Sequence, residues 1–396
     1  MVLLQRLDQE VPAMVQSFES GFSQYLDQLR AHRRALHRIP EIGEHEYKTQ
    51  AYILAHLKSL HCNEIRTFAD TGVRAVFMGN GKGRTIAFRA DIDALPVREE
   101  TGCDFASEHD GFMHACGHDG HMANLLTFSS WLDEHRDSLV DNVVLLFQPA
   151  EETVGGAKRM IDEGALENPH VDAIYGMHMM PDIPKGKLAC CAGPIMAQTC
   201  EMDFVIHGRS AHGATPHLGV DAISAMGHLL TLFQTTVARS VDPCQQALIT
   251  IGKVRAGEQR NILASRAEME GIVRTFSNRV YEGLEQRIRD DLKGLEAAFG
   301  VETEFIKRVY YPCVENDERE FERVKAAAGD RFMQAKPRMT AEDFSYYQLS
   351  VPGVFVFCGC MDDAHQAPLH ASAFNFDEEA LLPGLALFAS LVNTAD

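Results

Sequence analysis

The stretch Met113-His114-Ala115-Cys116-Gly117-His118-Asp119-Gly120-His121 packs three imidazoles, one thiol and one carboxylate into nine residues. Cys116 and His118 are two apart. In extended backbone, residues i and i+2 point to the same side, so both can face one ion. A thiolate beside an imidazole suits zinc and its first-row neighbours rather than calcium or magnesium. A lone Cys-x-His also fits a solvated turn with a buried cysteine, so further donors are required. The chain offers Glu152 in Gln148-Pro149-Ala150-Glu151-Glu152, His178 at the end of Ala173-Ile174-Tyr175-Gly176-Met177-His178, and His370 in Pro368-Leu369-His370. Five donors (Cys116, His118, Glu152, His178, His370) are too many for one catalytic zinc, which usually has three protein ligands. Two ions sharing a bridging ligand fit better. A pair about 3.5–4 Å apart can clamp the attacking and leaving oxygens of a hydrolysis.

Glu151 neighbours Glu152, and in extended backbone neighbours point opposite ways. One can bind metal while the other faces the activated water as general base, taking its proton and returning it to the leaving nitrogen. Asp93 and Asp119 are candidates for the carboxylates that metal-bound histidines usually engage through their other ring nitrogen. His114 and His121 crowd the same stretch as His118 and are weaker candidates for direct coordination. Farther on, Gly208–His217 is turn-rich with two imidazoles, Asn261 precedes a strand and Arg274 closes it. An amide donor and a guanidinium fork can together bind a substrate carboxylate.

These residues need a frame. Thr85–Ala90, Val143–Phe147, Ala173–His178 and Val354–Cys358 are apolar runs of the kind found in strands buried on both faces. They alternate with helical stretches at 22–38, 47–60 and 121–135, which predicts an α/β fold with a mostly parallel sheet. The polar residues follow the strands' C-terminal ends, where open α/β sheets place ligands. Residues 193–309 read as β-α-β-β-α-β: strands at 199–207, 246–255, 266–275 and 302–310, helices at 219–238 and 278–299. That order is the ferredoxin-like α+β unit, predicted as an inserted domain. The metal-binding catalytic domain is then discontinuous, 1–192 and 310–396.

The bulk properties exclude other classes. A net charge of −19 over 396 residues argues against a nucleic-acid partner, which wants a basic stripe. No apolar run approaches the roughly 20 residues of a membrane span, and the first ten residues do not read as a secretory signal. Ten cysteines without regular pairing or a Cys-x-x-Cys are most simply reduced thiols in a cytoplasmic protein. There is no Gly-x-Ser-x-Gly elbow and no phosphate-binding Gly-rich loop.

With these blocks in place the sequence resembles the aminoacylase/carboxypeptidase metallohydrolases. The blocks are Met113–His121, Gln148–Glu152, Gly176–His178, Gly208–His217, Thr340–Tyr346 and Pro368–His370. The nearest likeness is to the amidohydrolase branch that includes hippurate hydrolase, N-acetyldiaminopimelate deacetylase and the auxin-conjugate hydrolases. It runs from about residue 22 to 392; residues 1–20 have no recognised counterpart. The resemblance implies two divalent ions per subunit, zinc or manganese with cobalt or nickel as alternatives. It implies Cys116, His118, Glu152, His178 and His370 as ligands and Glu151 as base. His212 would polarise the scissile carbonyl, sometimes from a neighbouring subunit, and Asn261 and Arg274 would hold the substrate's carboxylate. The inserted domain would be a lid and an interface for a homodimer or a higher homo-oligomer. Two motifs depart from the family: Asn261-Ile262-Leu263-Ala264 replaces Asn-Val-Ile-Pro, and Leu369-His370-Ala371-Ser372 replaces Leu-His-Ser-Pro. Neither removes a ligand; both bear on the shape of the acyl pocket.

The expected activity is hydrolysis of the amide of N-acyl amino acids. A metallo-dipeptidase or carboxypeptidase is the alternative. A non-catalytic metal-binding protein of the same fold is disfavoured by the intact Glu151-Glu152 pair.

Overall fold

The computed structural model describes residues 21–395. The reading of residues 1–20 therefore lies outside the described residues. The described chain divides into two compact units. The first runs to Gly193 and adds Glu315–Lys336 and the segment from Asp343 onward; the second is Pro194–Val314 with Pro337–Glu342. The insertion expected at 193–309 thus extends a few residues further, and a short segment near 340 joins it. Arg338 explains the addition: it bridges Met196, and its carbonyl accepts from Ala197 N.

The first unit is built on an eight-stranded sheet. Its order is Glu64–Phe68, Gly72–Phe77, Asn142–Gln148, Thr85–Asp91, Ala173–Pro184, Gly353–Met361, Leu188–Cys190, Phe332–Gln334. The four runs singled out in the sequence are its central strands and are mutually parallel. Every residue of Thr85–Asp91 is buried, as are six of the seven in Asn142–Gln148. Burial on both faces is what makes their sequences continuously apolar rather than alternating. The strands beyond them on one side, Glu64–Phe68 and Gly72–Phe77, are an antiparallel hairpin.

Helices Leu26–His37, His118–Glu134 and Leu382–Leu391 pack together beside this sheet. In His118–Glu134 fifteen of seventeen residues are buried, so the helix has no solvent-facing stripe although it carries several polar side chains. The Phe88 ring packs against Phe128, Tyr175 and Phe388 at centroid distances of 4.9, 5.6 and 4.8 Å. Burying such a side chain contributes about 1.5–3 kcal/mol.

The second unit has four antiparallel strands in the order Glu302–Tyr311, Gln198–His207, Arg266–Thr275, Ala247–Ala256. Helices Ala222–Ser240 and Asn278–Phe299 pack on them. This is the β-α-β-β-α-β arrangement read from the sequence. Leu284, Ile288, Leu292 and Leu295 repeat at helical spacing and are all buried. Asp221 and Ser277 cap the two helix N-termini through Ile223 N and Val280 N, satisfying backbone donors that the first turn leaves unpaired.

Candidate metal centre

The centre is assembled in the first unit from residues within or just past three central strands and from two loops. The Cys116-Gly117-His118 segment is not extended, contrary to the reading above. Residues 115–117 form a turn, Gly117 sits at φ +89°, and His118 opens the helix His118–Glu134. A left-handed residue at this point is natural for glycine and turns the chain so that thiol and imidazole still converge. His178 is likewise not at a strand end. Its strand continues to Pro184 because it pairs with Gly353–Met361, with His178 opposite Phe357.

The distances are short. Cys116 Sγ lies 3.4 Å from His178 Nε2 and 3.3 Å from His370 Nε2. His370 Nε2 is 3.2 Å from Glu152 Oε1, and His118 Nε2 is 4.0 Å from the same oxygen. The donor atoms of Cys116, His118 and His178 lie within 4.8 Å of one another, as do those of Cys116, Glu152 and His370, and those of His118, Glu151 and Glu152. Cys116 belongs to two of these groups. A tetrahedral ion with bonds of about 2.0–2.3 Å separates its ligands by about 3.3–3.6 Å, close to the observed spacings.

Each imidazole is oriented from behind. His118 Nδ1 donates to the Asp93 carbonyl at 2.9 Å and His178 Nδ1 to the Met179 carbonyl at 2.8 Å, leaving both Nε2 atoms facing the cluster. The His370 backbone N donates to Ala115 O at 2.8 Å, which fixes that loop to the cysteine turn. His118 Nε2 is buried with no hydrogen-bond partner, a costly state for a polar atom that a cation would relieve. The electrostatics agree. Burial opposes charge on His118, but Asp91, Asp93 and Glu152 overcome it and lift its pKa to about 10. Burial, with His121 nearby, lowers His178 to about 3. Burial and the flanking Glu152 and Glu151 carboxylates raise the Cys116 thiol well above its usual range. The pocket is rich in carboxylate and short of positive charge, and a thiol held this way loses its proton when a cation arrives. The donor set fits divalent cations.

Glu151 and Glu152 lie in a turn rather than an extended segment, with the preceding Ala150 at φ +57°. Asp93 Oδ2 accepts from Glu152 N at 2.9 Å. Asp119 faces elsewhere: its Oδ2 accepts from His37 Nδ1 at 2.8 Å and Arg33 Nε at 3.1 Å. His121 has both ring nitrogens engaged, Nδ1 with Asp91 Oδ1 at 2.6 Å and Nε2 accepting from Met179 N at 2.9 Å. His114 is buried with neither ring nitrogen hydrogen-bonded.

Sequence reasoning passed over Asp91, although Asp91-Ile92-Asp93 stood at a strand exit. Asp91 is fully buried, takes Arg89 Nη1 at 2.7 Å, and lies 3.7 Å from His118 Nε2. Arg89 in turn bonds Asp343 at 2.8 Å, and Asp343 accepts from Gln148 and from Ala157 N. A buried network thus ties the ends of two neighbouring strands, Thr85–Asp91 and Asn142–Gln148, to the cluster.

In the second unit, His212 and Asn261 are brought together. Their loops pair through the His212–Ile262 bridge and Gly213 N donates to Asn261 O at 2.8 Å. Arg274 is not with them. It lies at the far end of Arg266–Thr275 and donates to Met339 O at 2.8 Å. At about 3.3 Å per residue, Arg266 and Arg274 are roughly 26 Å apart. Asn261 and Arg274 of one chain therefore cannot grip the same carboxylate, because one strand separates them.

The sequence matches the profile of Peptidase family M20/M25/M40 over residues 87–394. It is 40% identical over 363 residues to N-acetyldiaminopimelate deacetylase of Lacticaseibacillus casei, covering 89% of this chain and 94% of that one. It is also 40% identical over 358 residues to N-acetyl-L-cysteine deacetylase of Bacillus subtilis, covering 90% and 85%. A crystal structure of a dinuclear metal-binding peptidase of the M20 family from Bacillus subtilis aligns with a TM-score of 0.81 at 35% identity, over 93% of this chain and 98% of that one. The chain is a member of Peptidase family M20/M25/M40 and a hydrolase.

Proposed function

We propose that the protein hydrolyses the amide of small N-acyl amino acids, releasing a carboxylic acid and a free amino acid. The observation that carries this is the meeting of Cys116, His118, Glu152, His178 and His370 donors at spacings of 3.2 to 4.0 Å, with Glu151 within reach of His118 and Glu152. The relatives named as N-acetyl-amino-acid deacetylases support an acetyl-sized acyl group.

In this reading Cys116, His118, Glu152, His178 and His370 hold two divalent cations, zinc or manganese. Bound cations supply Lewis acidity to the attacking water and the scissile carbonyl. Glu151 accepts the water's proton as the new C–O bond forms. It then delivers that proton to the amide nitrogen as the C–N bond of the tetrahedral intermediate breaks. His212 donates toward the carbonyl oxygen. Asn261, on the loop paired with that of His212, and Arg274 hold the amino-acid carboxylate, and the length of strand between them supports contributions from two copies of the chain. The exposed edge strand Ala247–Ala256 supports self-association through this unit. Ten free cysteines support a reducing, cytoplasmic setting. Among the described residues no helix is long and apolar enough to cross a membrane.

The test is Glu151→Ala, assayed on N-acetyl and N-benzoyl amino acids and on Gly-x dipeptides. Removing a general base costs about 10²–10⁴-fold in rate, and the metal content should stay at the wild-type level. Near-wild-type turnover in this variant would refute the role of Glu151. Dipeptides outrunning acetyl-amino acids in the wild type would shift the assignment to a dipeptidase.

A further inference from the structure

Glu46 opens the helix Tyr47–Leu57, but its side chain makes no cap to that helix. It is fully buried and turned inward. Glu46 Oε1 accepts from Ala150 N at 2.8 Å, and Oε2 accepts from Thr71 Oγ1 at 2.7 Å. Ala150 is the residue before Glu151 and sits at φ +57°, a conformation unfavourable for a residue with a Cβ. Its carbonyl closes the same turn by accepting from Gly155 N at 2.9 Å. Buried carboxylates therefore grip the turn on both sides of Glu151, Glu46 on Ala150 N and Asp93 on Glu152 N.

The segment leading to Glu46 adds a steric wall. A Cβ on Gly43 would lie 2.3 Å from Thr153 Oγ1 and 2.9 Å from Ala150 Cα. The same segment is anchored to the Asp93 side by the Ile42–Ala94 bridge and by Ala94 N donating to Glu41 O at 2.8 Å. Nothing in this segment carries a donor to the metal groups described above. It fixes where the Glu151 backbone lies.

We propose that Glu46 is a positioning residue for Glu151, holding Ala150 in its left-handed conformation so that the base meets the attacking water. The inference rests on the reading of Glu151 as base. Asp93 holds the Glu152 end independently, so loss of Glu46 should displace the base while sparing the cations. A misplacement of about 1 Å at a reacting group can cost about 10²-fold.

The experiment compares Glu46→Met and Glu46→Gln with Glu151→Ala, reading kcat, KM for an N-acetyl amino acid, and metal content. Methionine keeps the volume and removes both acceptors. Glutamine keeps a carbonyl for Ala150 N, and its amide can donate to the Thr71 hydroxyl, which can also accept. Expected are a kcat about 10- to 100-fold down in Glu46→Met with KM within about two-fold and metal content unchanged, and Glu46→Gln within about three-fold of wild type. Should Glu46→Met fail to fold, Gly43→Ala, which pushes the turn from the other side, should show the same split between kcat and KM. Wild-type kcat in whichever variant is read, or kcat and metal lost in proportion, overturns the inference. If Glu151→Ala is inactive and the Glu46 variant is not, Glu46 alone is misassigned. If Glu151→Ala retains turnover, the base itself is misassigned and the inference falls with it.

Discussion

His37 offers a perturbation whose size and sign can both be worked out. It is buried at the end of Leu26–His37, with Nδ1 2.8 Å from Asp119 Oδ2 and Nε2 3.2 Å from Glu99 Oε1. Burial alone would lower its pKa; Asp119 and Glu99 more than offset this, against opposition from Arg33, and raise it from 6.5 to about 9. Both nitrogens therefore donate, and the ring is an imidazolium that pins this helix to the helix His118 opens. A raised pKa contributes stability that is fully present below the unfolded value near 6.5 and is lost as pH climbs through 9. At about 1.36 kcal/mol per pKa unit, a shift of roughly 2.5 units amounts to about 3 kcal/mol. The lowered pKa of Glu99, to about 2, describes the same pair and is not added. The assay is denaturant unfolding from pH 6 to 10 for wild type and His37→Gln, followed by fluorescence of Trp131, the single tryptophan, in the same unit. The wild-type advantage should be flat below pH 6.5, shrink by about 1.4 kcal/mol per pH unit up to 9, and level off above. Subtracting the two curves removes every other titrating group. Parallel curves would refute the reasoning, as would a His37 ring titrating at or below 6.5 by NMR.

Two further outcomes follow from the same geometry. Asp91→Asn leaves Arg89 with Asp343 but removes the negative charge beside His118 and His121. Cation affinity, measured by competition with a chromophoric chelator, should fall about 10- to 100-fold, and unchanged affinity would show that His118 is oriented without Asp91. If His212 and Asn261 act on a substrate bound at the metal cluster of a second copy, mixing unfolded Glu151→Ala and His212→Ala chains and refolding them should restore about a quarter of wild-type activity, since half the dimers are mixed and each has one intact site. No recovery would place His212 and Glu151 of one active site on the same chain.

How far the sequence could be read follows from which forces leave local marks. The central strands were legible because burial on both faces forces unbroken apolar runs. The inserted unit was legible because its two helices keep a clean apolar stripe. Leu188–Cys190 and Phe332–Gln334, three residues each, were not, because so short a stretch carries no period. Convergence of the metal-type donors was legible by residue type but not by mechanism. Cys116 and His118 meet through a left-handed glycine and a helix start, and Glu151 and Glu152 bring carboxylate oxygens within 4.8 Å of each other from a turn, where spacing alone predicts alternation along an extended chain. Asn261 and Arg274 pair by chemistry and by family resemblance, yet most of the ten-residue strand Arg266–Thr275 lies between them, and its length keeps the two from one carboxylate within a single chain.

The carboxylates were least legible, because their work is done at long range. Asp91 reaches His121 thirty residues on, Glu46 reaches Ala150 at a separation of 104, and Asp343 reaches Arg89 at 254. Each sits where a strand ends or a helix begins, where turn chemistry and capping offer an ordinary explanation for an acidic residue. Their burial decides between the readings. A fully buried carboxylate must find donors or carry a heavy desolvation cost, and those found here are Arg89, the imidazole of His121 and the backbone of the Glu151 turn. Asp91 and Glu46, which spacing leaves unassigned, thus join Asp93 and Glu152 in setting the cluster's charge and geometry. The lift of His118 to about 10, caused by Asp91, Asp93 and Glu152 against the pull of burial, expresses the same fact electrostatically: the fold concentrates negative charge around the donor atoms, which is the condition a divalent cation satisfies.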